Sequence, residues 1–230
     1  MKLLIIIPAY NEEASIVNTV EDLKRVCPHH DFIVVNDGSA DATAQLCREH
    51  GYPLLDLPVN LGLSGAVQAG MKFACRKHYD AAVQYDADGQ HCGEYLDAMM
   101  HEIENGYDIV IGSRFVTEKK PLTARMLGSR LICLAIRLTT GRELRDPTSG
   151  MRMYNRRMIR QFADLLNIEP EPDTIAYVMK CGARVREIQV EMKERTAGES
   201  YLTLFSSMRY MVQMGISILL VQPFRRKIRF

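Results

Sequence analysis

Two aspartates, Asp86 and Asp88, stand one residue apart directly after a short apolar run, and Gly89, Gln90 and His91 follow them. Side chains at positions i and i+2 of an extended segment point the same way, so the two carboxylates can face one cation. Carboxylate and amide oxygens suit Mg²⁺ or Mn²⁺, whereas a zinc site would contain more nitrogen or sulfur. The spacing therefore predicts a metal site formed by Asp86, Asp88 and Gln90. The alternative is a surface turn, in which Asp and Gly are common.

Apolar stretches at residues 3–7, 32–35, 53–57 and 83–85 predict strands, and the first is continuously apolar, as in a strand covered on both faces. Segments with helical spacing of apolar residues lie between them, and Gly51 ends the second. Asn11 and Asp41 are expected to cap the first two helices. Strands that alternate with helices predict an α/β fold with a mostly parallel sheet.

Polar residues follow three of these strands, at residues 8–12, 36–39 and 86–91. Ligands of open parallel sheets bind beyond the carboxyl ends of the strands, so the three segments are expected to meet at one site. No Gly-x-Gly-x-x-Gly follows the first strand and no Gly-Lys-Ser/Thr occurs. The sequence therefore lacks the phosphate-binding loops of dinucleotide oxidoreductases and of P-loop enzymes, which argues against both classes. A diphosphate at this edge would need a metal ion instead.

The composition excludes several other classes of protein. The chain has 230 residues, 47% hydrophobic and 25% charged, enough for one large domain or a domain with an appendage. Its net charge of +1 gives no reason to expect nucleic acid as a partner. The six cysteines contain no Cys-x-x-Cys pair, which argues against a zinc site and for reduced, cytosolic thiols. The apolar start is too short for a signal peptide, so the N-terminus is expected to stay inside the cell.

Six motifs occur in an order and at spacings that resemble one known family. They are Pro-Ala-Tyr-Asn-Glu at 8–12, Asn-Asp-Gly-Ser at 36–39, Asn-Leu-Gly at 60–62, Asp-Ala-Asp-Gly-Gln-His at 86–91, Gly-Ser-Arg at 112–114 and Arg-x-x-Gly-x-Ser at 195–200. As a set they resemble family 2 glycosyltransferases of the GT-A fold. The most similar subgroup is that of dolichyl-phosphate mannose synthase and bacterial polyprenyl-phosphate glycosyltransferases. The resemblance covers roughly residues 1–200.

This resemblance implies an enzyme that takes a sugar from a UDP- or GDP-linked donor, inverts the anomeric carbon and uses Mn²⁺ or Mg²⁺. The nucleotide sugar and the metal would contact Pro8, Ala9, Tyr10, Glu12, Asp37, Asp86, Ala87, Asp88 and Gln90. Within this set Asp37 would bind the base. Arg195 would also belong to the nucleotide-sugar site and would reach a donor phosphate. A divalent ion and an arginine stabilise a diphosphate leaving group without a general acid. For Tyr10 the alternative is ordinary packing, and for Glu12 it is a contact with the helix dipole.

Three positions depart from the family pattern. Asn36 stands where the family often has a second aspartate. Cys92, Gly93 and Glu94 replace the prolines that usually follow the metal motif, and Tyr201 replaces a common lysine. None of these departures removes a predicted metal ligand.

The chain changes character beyond Arg114. Residues 117–123 predict a polar flap, and residues 126–138 predict a helix with one apolar face and a basic edge. The alternative is a core helix with solvated arginines. In the resembling family, arginines that match Arg114 and Arg125 bind phosphates of the donor or the acceptor. We therefore expect Arg114, Arg125 and Arg130 to bind phosphate, for which the planar guanidinium is suited.

Asp173 lies in a Glu-Pro-Glu-Pro-Asp segment where many family members that act on hydroxyl acceptors carry a catalytic carboxylate. A hydroxyl nucleophile needs such a base. A phosphate acceptor does not, because its second pKa is about 6. The sequence leaves both roles open, and two prolines also allow a purely structural loop.

The C-terminal segment is apolar up to Pro223 and basic after it. Its uninterrupted apolar part is about half of the ~20 residues that span a bilayer. This pattern predicts a helix on a membrane surface with its basic tail on anionic headgroups, and the alternative is a helix that docks on the core or a second subunit. The predicted organisation is a GT-A domain at 1–200, with a nucleotide-sugar half at 1–115 and an acceptor half at 116–200, and a membrane-surface segment at 201–230.

Taken with this resemblance, the sequence predicts a metal-dependent, inverting glycosyltransferase that acts on undecaprenyl or dolichyl phosphate at the cytoplasmic face of the membrane. The predicted catalytic residues are Asp88, Arg114, Arg125, Arg130, Asp173 and Arg195. Two other functions stay open, namely transfer to a hydroxyl of a cell-surface polysaccharide or lipid-linked glycan, and non-catalytic binding of a sugar nucleotide. A small membrane-protein partner and a homo-oligomer are both compatible with the sequence.

Overall fold

The structure, a computed structural model, describes residues 1–164, 169–193 and 204–228, and for residues 124, 125 and 204–208 it describes the backbone alone. Within these residues the strands are β1 (Leu3–Ala9), β2 (Asp31–Asn36), β3 (Leu54–Asp56), β4 (Ala81–Gln84), β5 (Ile109–Ser113), β6 (Arg152–Asn155) and β7 (Val185–Gln189). The α-helices are α1 (Ile16–Val26), α2 (Thr43–Glu49), α3 (Gly62–Arg76), α4 (Leu96–Glu104), α5 (Ala124–Thr140), α6 (Arg156–Asp164), α7 (Pro172–Lys180) and α8 (Leu204–Ile216).

The strands form one seven-stranded sheet in the order β3-β2-β1-β4-β6-β5-β7. β1 pairs in parallel with both β2 and β4, whereas β6 is antiparallel to β4 and β5. The chain thus proceeds from β1 to one side and returns to β4 on the other side. Such a reversal opens a crevice at the carboxyl ends of the strands, where ligands bind. The predicted α/β fold with a mostly parallel sheet is confirmed.

Alternate residues of β1 enter two hydrophobic cores, one on each face of the sheet. Leu4 and Ile6 pack with residues of α3, α5, α6 and α7. Leu3, Ile5 and Ile7 pack with residues of α1 and α4 on the opposite face. β1 is continuously apolar because helices cover both of its faces, as the sequence predicts.

The first helix begins at Ile16, so the prediction that Asn11 caps it is wrong. Asn11 adopts a positive φ of 55°, and its Oδ1 accepts a hydrogen bond from the main-chain N of Ala40 at 2.9 Å. Asn11 therefore joins the loops that follow β1 and β2, because an asparagine tolerates this backbone conformation and offers a short polar arm. Asp41 does serve the start of α2, where its Oδ1 accepts from the main-chain N of Thr43 at 3.0 Å.

Helix α5 has an inner face and an outer face that are both apolar. The inner residues Ile132, Ala135 and Ile136 are buried in the core. The outer residues are 53–70% exposed and are Leu127, Leu131, Leu134 and Leu138. Their spacing places them in one stripe along the helix, which we call the outer leucine face. The helix therefore combines both predicted alternatives, a core helix and a helix with an exposed apolar face.

Helix α8 and the π-helical turn Ser217–Val221 dock on the protein through Met214 and Ile218, which are buried. Met211 approaches α5 so closely that a Cβ at Gly128 would lie 2.6 Å from the Met211 Cγ. Apolar side chains on the outside stay exposed and are Val212, Ile216, Leu219, Leu220, Val221 and Phe224. The C-terminal helix thus docks on the core with one face and presents an apolar surface with the other. Among the described residues, no helix has the length and apolar character that crossing a membrane requires.

Candidate active site

A cavity of about 380 Å³, which we call the strand-end cavity, lies where β1, β2 and β4 end. It brings together the segments that the sequence predicts to meet at one site. The residues that line it are Pro8, Ala9, Tyr10, Glu12, Asp37, Asn60, Gly62, Leu63, Ala66, Asp86, Ala87 and Asp88. The convergence follows from the parallel topology, which places the carboxyl ends of neighbouring strands on one edge.

The loop that carries the two aspartates is held by hydrogen bonds from both sides. The buried Thr19 of α1 donates through Oγ1 to the main-chain oxygen of Ala87 at 2.8 Å. Asp88 accepts through Oδ1 from the main-chain N of Gln90 at 3.1 Å, and Gly89 between them has a positive φ of 76°. A glycine adopts this conformation without steric cost. The carboxylate of Asp88, whose residue is 5% exposed, is thereby fixed in the cavity wall.

His91 is buried and orients Asp86. Its Nδ1 accepts from the main-chain N of Asp86 at 2.9 Å, so the ring proton resides on Nε2, which lies 3.5 Å from the Asp86 Oδ2. The hydroxyl of Tyr85 donates to the main-chain oxygen of His91 at 2.5 Å, and burial raises the pKa of Tyr85. His91 belongs to the sequence motif, but its contact with Asp86 depends on a turn that the motif alone does not define.

The carboxylates of Asp86 and Asp88 fit a hard divalent cation. Mg²⁺ is commonly held by one or two carboxylates together with water and substrate phosphates, so two protein ligands in a diphosphate site suffice. Among the described residues, no group of three His, Cys, Asp or Glu side chains converges on one point. Gln90 directs its amide towards the main-chain oxygen of Lys193, at 3.5 Å, and does not line the strand-end cavity. Its role as a third ligand stays a prediction.

Gly150 lies against the carboxylate of Asp86. A Cβ at this position would lie 2.6 Å from the Asp86 Oδ2, closer than a real contact allows. A side chain at position 150 would therefore displace the carboxylate. The segment after Asp146 thus shapes the site beside Asp86.

Asp37 connects three loops at the other end of the cavity. Its main-chain N donates to the oxygen of Ala9 at 2.9 Å, and its Oδ1 accepts from the main-chain N of Leu61 at 2.8 Å. The residue is 3% exposed but lines the cavity. Asp37 therefore has a structural role in addition to the predicted contact with the base.

We expect Asp37→Ala to weaken donor binding about 10- to 100-fold while turnover of bound donor changes much less. A hydrogen bond to a charged group contributes about 1.5–3 kcal/mol, and a contact with the base is equally strong in the ground and transition states. Titration calorimetry with UDP and GDP, beside steady-state kinetics, measures both quantities. Asp37→Asn is the matched control because its amide oxygen still accepts from Leu61. Unchanged donor affinity in Asp37→Ala would leave Asp37 with the loop contact alone.

Tyr10 and Glu12 contribute differently to the cavity. Tyr10 is 39% exposed, so ordinary core packing does not describe it. The carboxylate of Glu12 accepts from the hydroxyl of Ser15 at 2.5 Å, and its main-chain oxygen accepts from the N–H groups of Ser15 and Ile16. Glu12 thus lies both in the cavity wall and at the start of α1. The predicted contacts of these residues with a nucleotide stay predictions.

Arg114 is paired with a buried carboxylate. Its Nε and Nη2 donate to Oδ2 and Oδ1 of Asp146 at 2.7 and 2.9 Å, and Asp146 is fully buried. Glu187 accepts in turn from the main-chain N atoms of Arg145 and Asp146 at 2.6 and 2.5 Å, and burial raises the pKa of Glu187. The guanidinium of Arg114 therefore has a bidentate protein partner, and its role as a phosphate ligand stays a prediction.

Asp173 contacts the C-terminal segment. Its Oδ2 accepts from Ser217 Oγ at 2.6 Å and from Gln222 Nε2 at 3.0 Å, and its Oδ1 accepts from the main-chain N of Thr174 at 2.7 Å. Asp173 does not line the strand-end cavity. The geometry gives it a structural role, and the role as a base stays a prediction.

Two predicted arginines are incompletely covered by the structure. Arg195 lies outside the described residues, and the side chain of Arg125 in the first turn of α5 is also outside them. The described chain nevertheless approaches the aspartate loop, because the main-chain N of Lys193 donates to the oxygen of Gln90 at 2.9 Å. Arg195 follows Lys193 by two positions in the sequence.

A second cavity of about 670 Å³, which we call the basic cavity, lies between the 115–122 segment and α5. The residues that line it are Phe115, Glu118, Lys119, Lys120, Leu122, Arg130, Cys133, Leu134, Arg137, Glu143, Leu144 and Arg145. Within the described part of the chain, no carboxylate oxygen lies within 4.0 Å of a side-chain nitrogen of Lys120, Arg130 or Arg145. Arg130 donates instead to the main-chain oxygen of Lys120 at 2.9 Å. The cavity therefore has a positive wall, and among the predicted phosphate-binding arginines Arg130 lines it.

Comparisons with known proteins identify the family. The sequence profile described as "Glycosyl transferase family 2" matches residues 4–162. Undecaprenyl-phosphate mannosyltransferase from Micrococcus luteus is 32% identical over 216 residues, which are 88% of this chain and 88% of that protein. Polyprenol monophosphomannose synthase from Mycolicibacterium smegmatis is 29% identical over 214 residues, which are 87% of this chain and 80% of that protein.

A solved structure shows the same fold. Glucosyl-3-phosphoglycerate synthase from Mycobacterium tuberculosis, in complex with Mn²⁺, UDP and phosphoglyceric acid, superposes with a TM-score of 0.68. The match covers 96% of this chain and 79% of that chain at 17% identity. At this identity the likeness supports the fold and nothing about activity, and it confirms the predicted GT-A fold. The family match runs from β1 into α6 and includes the loop of Asp86 and Asp88. The chain belongs to glycosyl transferase family 2 and is a glycosyltransferase.

Proposed function

We propose that this enzyme transfers a sugar from a UDP- or GDP-linked donor to polyprenyl phosphate, with Mn²⁺ or Mg²⁺ and with inversion at the anomeric carbon. The observation that carries the acceptor assignment is the basic cavity beside the outer leucine face. Leu134 lines the cavity and also belongs to that face. An acceptor that joins a phosphate to an isoprenoid chain matches this combination of cations and exposed leucines. The two relatives from Micrococcus luteus and Mycolicibacterium smegmatis carry polyprenol-related names, which supports the same acceptor class.

The cations of the basic cavity suit a phosphate group. Arg130 and Arg145 carry planar guanidinium groups that bind phosphate oxygens in pairs, and Lys120 adds a compact charge. These three side chains have no carboxylate partner within the described residues, so a bound phosphate need not displace one. Arg114 and Arg125 would extend the phosphate-binding surface from the basic cavity towards the donor.

The reaction follows from the charges of its groups. An oxygen of the acceptor phosphate attacks the anomeric carbon, the bond from this carbon to the donor diphosphate breaks, and the nucleoside diphosphate leaves with the electron pair. The acceptor phosphate is largely ionised at neutral pH because its second pKa is about 6, so no residue has to remove a proton from it. The hydrogen bonds that Asp173 accepts from Ser217 and Gln222 support a mechanism in which Asp173 is not the base.

The strand-end cavity would hold the donor. Asp37 and Tyr10 would contact the nucleoside, Asp86 and Asp88 would bind the metal, and Arg195 would reach a donor phosphate. When bound, the divalent ion neutralises the charge that develops on the diphosphate leaving group. His91 and Thr19 hold the loop in place while the donor binds.

We further propose that the outer leucine face and the exposed apolar side of α8 lie on the cytoplasmic surface of the membrane. Arg226 and Lys227, which are both exposed, would contact anionic headgroups. In this arrangement residues 1–115 bind the nucleotide sugar, 116–200 bind the acceptor and 201–230 attach the enzyme to lipid. A small membrane-protein partner and a homo-oligomer remain compatible with this arrangement.

An acceptor assay tests the proposal. Purified enzyme receives GDP- and UDP-linked hexoses in turn, with either undecaprenyl phosphate or a glycan that carries free hydroxyls. We expect product from undecaprenyl phosphate alone. Arg130→Ala should lower that transfer about tenfold or more, because it removes a charged hydrogen bond, with donor affinity unchanged. Asp173→Asn should change it by about threefold at most, since no general base is needed.

Arg156→Ala is the matched control for loss of a positive charge. Arg156 lies on α6, and its side chain is 46% exposed. Its removal should leave the transfer to undecaprenyl phosphate unaffected. Product formed only from the glycan and abolished by Asp173→Asn would overturn the lipid-phosphate assignment in favour of a hydroxyl acceptor. The family membership would be unaffected by that result.

A further inference from the structure

Behind the aspartate loop lies a group of buried polar side chains with unsatisfied atoms. Gln84 and Arg152 are each 2% exposed, and they face each other in the antiparallel ladder between β4 and β6. Paired residues of such a ladder point to the same face of the sheet, with Cβ atoms about 5 Å apart. Within the described residues the Gln84 Oε1, the Arg152 Nε and the Ser149 Oγ are buried without a hydrogen-bond partner.

These unsatisfied atoms are chemically complementary. The Gln84 Oε1 accepts hydrogen bonds, the Arg152 Nε–H donates one, and the hydroxyl of Ser149 does both. Buried polar atoms without partners are rare in native proteins because each costs about 1–3 kcal/mol. An internal water that meets two to four polar groups in a buried site is a common solution. One water between Gln84 and Arg152 would satisfy both side chains.

Gln84 connects this group to the predicted metal site. Its Nε2 donates to the Asp86 Oδ1 at 3.0 Å. Asp86 therefore accepts a hydrogen bond from Gln84 on one side, and on the other side the Nε2 of His91 lies 3.5 Å from its Oδ2. A ligating carboxylate that is held in this way keeps its orientation when the ligand is absent.

Arg152 connects the same group to the acceptor side. Its Nη2 donates to the main-chain oxygen of Pro147 at 2.7 Å, and its Nη1 donates to the main-chain oxygen of Pro170. No carboxylate oxygen lies within 4.0 Å of its guanidinium among the described residues, and beyond the two carbonyl oxygens its charge interacts with the carboxylate of Glu171 at longer range. The segment of Pro147 continues to Gly150, which touches Asp86.

We propose that Gln84 and Arg152 are positioning residues for the metal-binding carboxylate of Asp86. Arg152, one internal water, Gln84 and Asp86 form a hydrogen-bonded chain that sets the rotation of the carboxylate. The same guanidinium fixes the Pro147 and Pro170 segments, so the orientation of Asp86 and the shape of the acceptor side are set by one buried cation. This inference rests on the proposed metal site.

The test measures binding of Mn²⁺ alone, by the paramagnetic resonance signal of the free ion, in parallel with the melting temperature. Gln84→Met preserves the volume of the side chain and removes both hydrogen bonds. We expect it to weaken Mn²⁺ binding about tenfold, the usual effect of losing an outer-shell partner. Arg152→Lys keeps the charge but removes the proposed hydrogen bond from the Nε to the internal water. This variant should also weaken Mn²⁺ binding.

Tyr154→Phe is the matched control. Tyr154 lies two residues from Arg152 in β6 and is fully buried; its hydroxyl interacts with Arg152, but no described contact joins it to Gln84 or Asp86. Its Mn²⁺ affinity should equal that of the wild type. An equal loss of Mn²⁺ affinity in Tyr154→Phe and Gln84→Met would overturn the proposed chain. The loss would then follow from removing any buried polar atom near Arg152, not from the hydrogen bond of Gln84 to Asp86.

Two further outcomes separate the inference from the proposed function. If Asp88→Ala weakens Mn²⁺ binding and Gln84→Met does not, the metal site stands and the positioning chain is overturned. If neither the wild type nor any variant binds Mn²⁺, the metal site and the positioning chain fail together.

A crystal structure of the wild type gives a check that needs no variant. Density for a water between the Gln84 Oε1 and the Arg152 Nε is expected, and a different partner for the Arg152 Nε contradicts the chain.

Discussion

Asp88→Ala is expected to lower the turnover of this enzyme about a thousandfold, because the leaving diphosphate loses a ligand of its counter-ion, which is worth several kcal/mol in the transition state. The fold should survive. The substitution removes the hydrogen bond from the Gln90 N–H, which costs about 1 kcal/mol, but it also relieves the repulsion between Asp86 and Asp88.

Asp88→Asn is the sharper variant. Its amide oxygen can still accept the hydrogen bond from the Gln90 N–H, so the substitution removes only the negative charge. A loss of turnover in both variants would therefore be due to the loss of the carboxylate charge. The measurements are turnover at saturating Mn²⁺ and the melting temperature of each variant. Near-normal turnover of either variant, or of the wild type in excess chelator, would contradict the assignment of Asp88 to the metal.

The second large effect concerns the outer leucine face. Replacing Leu127, Leu131, Leu134 and Leu138 together by glutamine should reduce binding to vesicles of phosphatidylcholine and phosphatidylglycerol at least about 100-fold. A fully buried leucine contributes roughly 1.5–3 kcal/mol, and four partly inserted side chains exceed the ~2.8 kcal/mol that a 100-fold change requires. The melting temperature should change little, because these residues are exposed in the folded protein.

Val59→Gln serves as the control for this experiment, because Val59 is 57% exposed and lies on the segment beside the strand-end cavity. Cosedimentation with vesicles measures the binding. Unchanged cosedimentation of the leucine variant would exclude this face from the membrane contact. Truncation of residues 206–230 would be a poorer test, since it also removes the buried Met214 and Ile218.

The strand-end cavity could be predicted because each of its segments carries a local signal. An apolar run that gives way to the polar segment 8–12, 36–39 or 86–91 marks the end of a strand, and the parallel topology then brings the three ends together. Nothing beyond strand periodicity and the handedness of the crossovers is required. The place of Asp37 and of Asp86 therefore followed from short segments of sequence.

Contacts between distant segments could not be predicted in this way. Arg114 and Asp146 are 32 residues apart, and neither position signals its partner. Strand β6 is not predictable from its sequence, because Arg152–Asn155 has four residues and begins with an arginine, which a buried strand rarely contains. Asparagine is a common N-cap residue, but Asn11 instead accepts a hydrogen bond from the main-chain N of Ala40, a contact that the local sequence does not indicate.

The pair of Arg114 and Asp146 has a thermodynamic consequence for any phosphate that Arg114 binds. Asp146 already takes two of the five guanidinium N–H donors, so a ligand that also needs the Nε of Arg114 must displace this carboxylate. A buried carboxylate that loses its counter-ion destabilises the protein by several kcal/mol, and only part of this is offset by the main-chain N of Arg114, which stays 3.2 Å from the Asp146 Oδ2. Exchange is therefore favourable only for a ligand that offers two oxygens and more negative charge than a carboxylate. A terminal phosphate dianion meets this threshold, whereas a neutral hydroxyl does not.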